Sequence, residues 1–137
     1  MKQSTRTSWH FNLISAVLAF LLWGGWAFVM NSGESVNRGL VAGLTQGTAS
    51  FLITLCMVHA VTYLFHRFEK PLVKVVLPAC IVICFTGFCL VNVHTLMGTP
   101  RILVTILPAL MVAFSFCMFT SWRLLRIHQQ QGATQYE

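Results

Sequence analysis

Four cysteines and one histidine are the residues of this sequence whose types and depths best fit a metal site. They lie on three long apolar segments, at Cys56, His59, Cys80, Cys84 and Cys117. At about 1.5 Å of rise per helical residue, all five lie roughly 8 to 13 Å from segment ends that we place at the inner membrane surface. Thiolates and an imidazole at one depth would suit copper(I) or zinc.

The alternative is that these thiols are packing residues. A free cysteine behaves as a small buried hydrophobic side chain, and the sequence has no CxxC pair or other usual ligand spacing. We therefore predict no cofactor, and a metal or redox site built from the inner thiols stays a third hypothesis.

A second candidate site contains Arg38, Arg101 and His94, near the opposite ends of the segments. Arg38 and Arg101 each begin a predicted helix, and helix N-termini attract anions. Because a guanidinium matches phosphate geometry, the group predicts an outer site for a lipid phosphate or a lipid-linked sugar phosphate. The alternative is that both arginines are solvated boundary residues, with Arg38 paired to Glu34 one helical turn away.

The scarcity of acids excludes several classes of function. The chain has 137 residues and only three acids, Glu34, Glu69 and Glu137, none of which lies in an apolar segment. A Ser/His/Asp site is therefore impossible, and an exporter driven by a membrane carboxylate is not expected. We predict that the protein is not an enzyme. The net charge of +6 is explained by membrane topology, so it does not indicate nucleic-acid binding.

The elements that must position these residues are membrane helices. Apolar residues make up 56% of the sequence and charged residues 9%, and a spanning helix needs about 20 apolar residues. The charge-free intervals predict spans at 11–30, 40–65, 75–94 and 102–122. Short connections make consecutive helices antiparallel neighbours. The predicted fold is an all-α, up-down four-helix bundle over residues 1–127, followed by a polar tail at 128–137.

The basic residues predict the orientation and the compartment. Seven of them lie on the side of the chain termini, and only Arg38 and Arg101 lie on the other. Because the side richer in Lys and Arg faces the cytoplasm, both termini are predicted to be cytoplasmic, in a bacterial inner membrane.

A glycine face on the second segment predicts a close helix contact. Gly39, Gly43 and Gly47 are spaced four apart, and Ser50 continues the face. Small residues at this spacing let two membrane helices approach closely. The first segment, with Gly24 and Gly25, is one candidate to cover this face. A second copy or a partner subunit is the other. Gln46 beside the face is expected to form a hydrogen bond across a helix interface.

Two local features concern the fourth segment. Thr99 and Pro100 predict its N-cap and first helical position. Pro108 lies inside it and frees a carbonyl one turn earlier, which Thr105 is placed to satisfy.

These patterns favour a non-catalytic membrane subunit as the function. It would pack through the glycine face with a partner or with itself, bind membrane lipid, and assist handling of a lipid or lipid-linked anionic substrate. The alternative is a self-sufficient, homo-oligomeric transporter, flippase or pore.

Overall fold

Four long helices make up the described chain. The computed structural model describes residues 9–135, and its elements are α1 (Trp9–Asn31), α2 (Val36–Phe65), α3 (Pro71–Leu96) and α4 (Ile102–Thr134). Each is long and apolar enough to cross a membrane. The prediction of four long apolar helices is confirmed. Segments of this composition form helices because their backbone groups must pair internally in an apolar solvent. These four helices indicate an integral membrane protein.

The predicted spans lie inside the observed helices, which extend beyond them. The fourth helix is the clearest case, because it continues to Thr134 and takes in most of the polar tail. Tyr136 and Glu137, and residues 1–8 at the other terminus, lie outside the described residues.

The starts of α2 and α4 are capped differently. Ser35 is the N-cap of α2, and its hydroxyl accepts the Arg38 backbone N–H at 3.2 Å. The predicted N-cap of α4 is wrong, because that helix begins at Ile102 with Arg101 as its cap residue. The Thr99 hydroxyl contacts the ring of His94 instead.

The connections at 32–35 and 97–101 lie together, and we call this the paired-loop end of the bundle. The side chain of Asn31 joins them, since it accepts the backbone N–H of Arg101 at 2.9 Å. The helices carry a small apolar core in the other half of the bundle. It contains Met57, Val61, Ala79, Val82 and Cys117.

The glycine face of α2 lies against α1 of the same chain. A Cβ built on Gly43 would lie 2.9 Å from the carbonyl oxygen of Gly24, and one built on Gly39 would lie 2.7 Å from Ser32 Cβ. A Cβ on Gly47 would meet the ring of Phe20 at 3.0 Å. The two backbones are therefore as close as only glycine permits.

Gly25 differs from the other glycines that we assigned to packing. A Cβ at this position would meet nothing within 4 Å. Adjacent helical residues point in different directions, so when Gly24 faces α2, its neighbour faces away.

Candidate functional site

A buried polar cluster near the paired-loop end joins α2 and α3. His94 Nε2 lies 2.7 Å from Gln46 Oε1, and His94 Nδ1 lies 2.7 Å from the Thr99 hydroxyl. Gln46 Nε2 donates to the Ser50 hydroxyl at 3.3 Å. Because an amide oxygen only accepts, Nε2 of His94 donates to Gln46. Both ring nitrogens thus have a hydrogen-bond partner.

A second buried cluster joins α1 to the start of α4. The Asn31 amide donates to the Thr105 hydroxyl at 2.7 Å and to the Ala27 carbonyl at 2.8 Å. The Thr105 hydroxyl in turn donates to the carbonyl of Arg101. Asn31 was not predicted to be a site residue, although an amide at the end of an apolar segment is a signal that it needs a buried partner.

The structure does not bring the predicted outer anion group together. His94 is fully buried in the first cluster. Arg38 pairs with Glu34 at 2.7 Å, and both side chains are more than half exposed. Only Arg101 lines the cleft of about 370 Å³ at the paired-loop end, together with Val29, Met30, Asn31, Gly33, Glu34 and Pro100.

The residues of the predicted metal site are dispersed as well. Cys56 and Cys84 are exposed, whereas Cys117 is fully buried in the apolar core. Within residues 9–135, no three His, Cys, Asp or Glu side chains come together as ligands. The similar depths of these residues did not bring them together, because helices also differ in the direction that each side chain faces.

A groove with mostly apolar walls was not predicted from the sequence. It has a volume of about 510 Å³ and lies between α1, α2 and α4. Its apolar walls include Trp23, Met57 and Phe116, and Arg123 stands at one end. The remaining lining residues are Phe11, Asn12, Ser15, Ala19, Thr54, Val58, Ala109, Val112, Ala113, Phe119 and Thr120.

The cation at the end of the groove has no partner among residues 9–135. Arg123 is exposed and makes no hydrogen bond or ion pair with any residue in the described part of the chain. Arg126, in contrast, packs over the ring of Trp122 with 4.6 Å between its guanidinium carbon and the ring centroid. A guanidinium beside an apolar groove can bind the anionic end of an amphiphile.

A smaller cavity of about 40 Å³ lies deeper in the bundle. Its walls include Gln46, Ser50, Thr54 and Thr86, so it continues the His94 cluster toward the centre of the bundle. A polar cavity of this size can hold water.

Comparison with protein-family models, with curated proteins and with solved structures finds no match for this chain. Its function must therefore be argued from the site itself.

Proposed function

We propose that the chain is a non-catalytic integral membrane subunit that binds an anionic lipid, or a lipid-linked anionic substrate, in the groove between α1, α2 and α4. The observation that carries the proposal is the position of Arg123, a cation at the end of a groove with mostly apolar walls that pairs with no other described residue. This arrangement complements an amphiphile with an anionic head and a long apolar chain.

The dimensions of the groove fit one lipid chain. Its lining residues on α4 run from Ala109 to Arg123, which corresponds to about 21 Å of helix. Half of the hydrocarbon core of a bilayer is about 15 Å. A lipid of one leaflet can therefore lie along the groove with its head group beside Arg123.

The groove chemistry favours binding over catalysis. Its fifteen lining residues include no carboxylate, imidazole or thiol in the described chain. General acid–base and nucleophilic catalysis usually use those groups. The hydroxyl and amide groups that are present can orient a ligand.

The proposal includes an up-down antiparallel bundle with both termini in the cytoplasm of a bacterium. The order of contacts supports antiparallel neighbours, since Gly47 lies near Phe20 whereas Gly39 lies near Ser32. The excess of basic residues on the side of the termini supports the orientation. Arg123 then lies at the cytoplasmic surface, where anionic head groups concentrate.

A partner subunit, or a second copy, remains part of the proposal, but it would contact a face other than the glycine face. Gly39, Gly43 and Gly47 already face α1 at distances that leave no space for another helix. The outer surfaces of α3 and α4 carry exposed aromatic side chains outside the groove, including Phe85, Phe88 and Phe114. They are the faces available to lipid or to a partner.

Native mass spectrometry of the gently extracted protein tests this function. We expect the wild-type chain to retain an anionic lipid and Arg123→Gln to lose most of it. Arg126→Gln is the matched control, because Arg126 does not line the groove. Retention of the same lipid by both variants, or binding of neutral lipids alone, would refute the groove as an anionic-lipid site.

A further inference from the structure

The large groove and the small central cavity share a wall. Trp23, Thr54, Met57, Ala109 and Ala113 line both spaces. Thr54 is the polar member of this shared wall, and Ser50 and Gln46 lie behind it on the same face of α2. The groove wall that adjoins the central cavity therefore carries one hydroxyl, that of Thr54, among apolar side chains.

The hydroxyl of Thr54 has no hydrogen-bond partner within residues 9–135. Other hydroxyls in these helices donate to the carbonyl four residues earlier. Thr45, Ser115 and Thr120 do so at 2.7, 3.0 and 2.8 Å. That bond is the usual way for a membrane helix to satisfy Ser and Thr. Thr54, which is partly buried, does not use it.

Two further hydroxyls that line these spaces also lack a hydrogen-bond partner within residues 9–135. Ser15 lines the groove and Thr86 lines the central cavity, and neither forms a hydrogen bond to another described residue. A saturated hydrocarbon chain in the groove would leave the hydroxyl of Thr54 unpaired, and burying an unpaired hydroxyl is unfavourable.

We infer that the groove ligand is a long-chain anionic lipid whose chain carries a hydroxyl or a comparable oxygen near its middle, and that Thr54 binds this oxygen. The inference rests on the proposed function and narrows its substrate class. Ala113, on the shared wall, lies about 15 Å along α4 from Arg123. An anionic head at Arg123 therefore places the middle of a long chain near Thr54.

A pair of fatty acids tests this specificity. Stearate and a stearate hydroxylated at mid-chain are titrated separately onto delipidated protein in detergent, and the dissociation constants are compared. We expect the hydroxylated acid to bind between about two- and tenfold more tightly, which corresponds to one net hydrogen bond. Thr54→Val, which keeps the side-chain shape but removes the hydroxyl, is expected to remove this preference, so that the variant binds the two acids equally.

Thr45→Val is the matched control, because Thr45 already bonds to its own helix and lines neither space. Its variant is expected to keep the preference. Equal binding of the two acids that still depends on Arg123 would overturn the inference alone and would indicate that water satisfies Thr54. A preference that survives in Thr54→Val would also overturn it. Binding of neither acid, or binding unaffected by Arg123→Gln, would remove the proposed function and this inference with it.

Discussion

The indole of Trp26 on α1 donates a hydrogen bond of 3.0 Å to the carbonyl of Val104 on α4. Val104 lies four residues before Pro108, which has no backbone N–H to give it. From the sequence, Thr105 was expected to satisfy this carbonyl. In the structure, the carbonyl freed by Pro108 is instead paired by a side chain of another helix. The hydrogen bond from Trp26 therefore connects α1 to α4.

Trp26→Phe tests this bond, because it removes the N–H and retains an aromatic ring. The free energy of unfolding in mixed micelles is expected to fall by about 1–3 kcal/mol, the cost of leaving a carbonyl unpaired in an apolar surrounding. Trp122→Phe serves as the control, since Trp122 is 47% exposed and contacts Phe119 and Arg126.

A double-mutant cycle makes the assignment specific. In a Pro108→Ala background the new backbone N–H can pair with Val104, so Trp26→Phe should cost less than it does in the wild-type chain. The same cost in both backgrounds would show that the indole stabilises the protein by packing and not through this carbonyl.

The close contact of α1 and α2 predicts unequal effects of alanine at two glycines. Gly43→Ala would place a methyl group 2.9 Å from a backbone oxygen of Gly24, so the helices must separate. We expect a loss of about 1–3 kcal/mol of unfolding free energy, as is typical of overpacking. Gly25→Ala is the control, because its methyl group would meet nothing within 4 Å. Equal free energies of unfolding for the two variants would contradict the close contact of α1 and α2 at Gly43.

The His94 cluster predicts that Gln46→Leu is costly. Both side chains are fully buried, and leucine would leave the Nε2 proton of His94 without its acceptor. Chemical unfolding monitored by circular dichroism should show a loss of about 1–3 kcal/mol. Asn92→Leu, at an exposed amide that bonds only to the Phe88 carbonyl of its own helix, should change stability little. A neutral Gln46→Leu variant would mean that the cluster is not a significant tie between α2 and α3.

Substitution of Ser121 is expected to affect stability in the opposite direction from Gln46→Leu. The Ser121 hydroxyl is fully buried and has no hydrogen-bond partner within residues 9–135. Ser121→Ala therefore removes an unsatisfied group and should leave the protein equally or more stable. Thr105→Val removes a buried hydroxyl that bonds to both Asn31 and Arg101, and it should lower the unfolding free energy. If Ser121→Ala destabilises the protein in thermal unfolding while Thr105→Val does not, the assignment of these two hydroxyls is wrong.

The buried polar residues show which contacts could be predicted from the sequence and which could not. Gln46 was expected to bond across a helix interface, and the structure gives it His94 as that partner. His94 itself was assigned to an outer anion site, yet its ring is buried and saturated by Gln46 and Thr99. The sequence shows the depth of a histidine along its helix, but it does not show the direction in which the ring points.

The groove could not be predicted from local patterns at all. Its walls come from three helices, and its one cation, Arg123, looks in the sequence like any basic residue after a membrane span. Arg123 and Thr54 line one groove only because α1 and α4 are separated in the tertiary structure.

The sequence by itself determined that the described chain forms four long apolar helices, because backbone groups in an apolar solvent must pair within their own segment. It also determined that one glycine face would permit close helix contact. The tertiary structure alone decided that α1 covers this face, that His94 faces inward, and which hydroxyls remain unpaired. The reason is that nearly every face of these helices is apolar, so hydrophobic periodicity does not fix their rotation. Interlocking shapes and a few buried hydrogen bonds fix it instead.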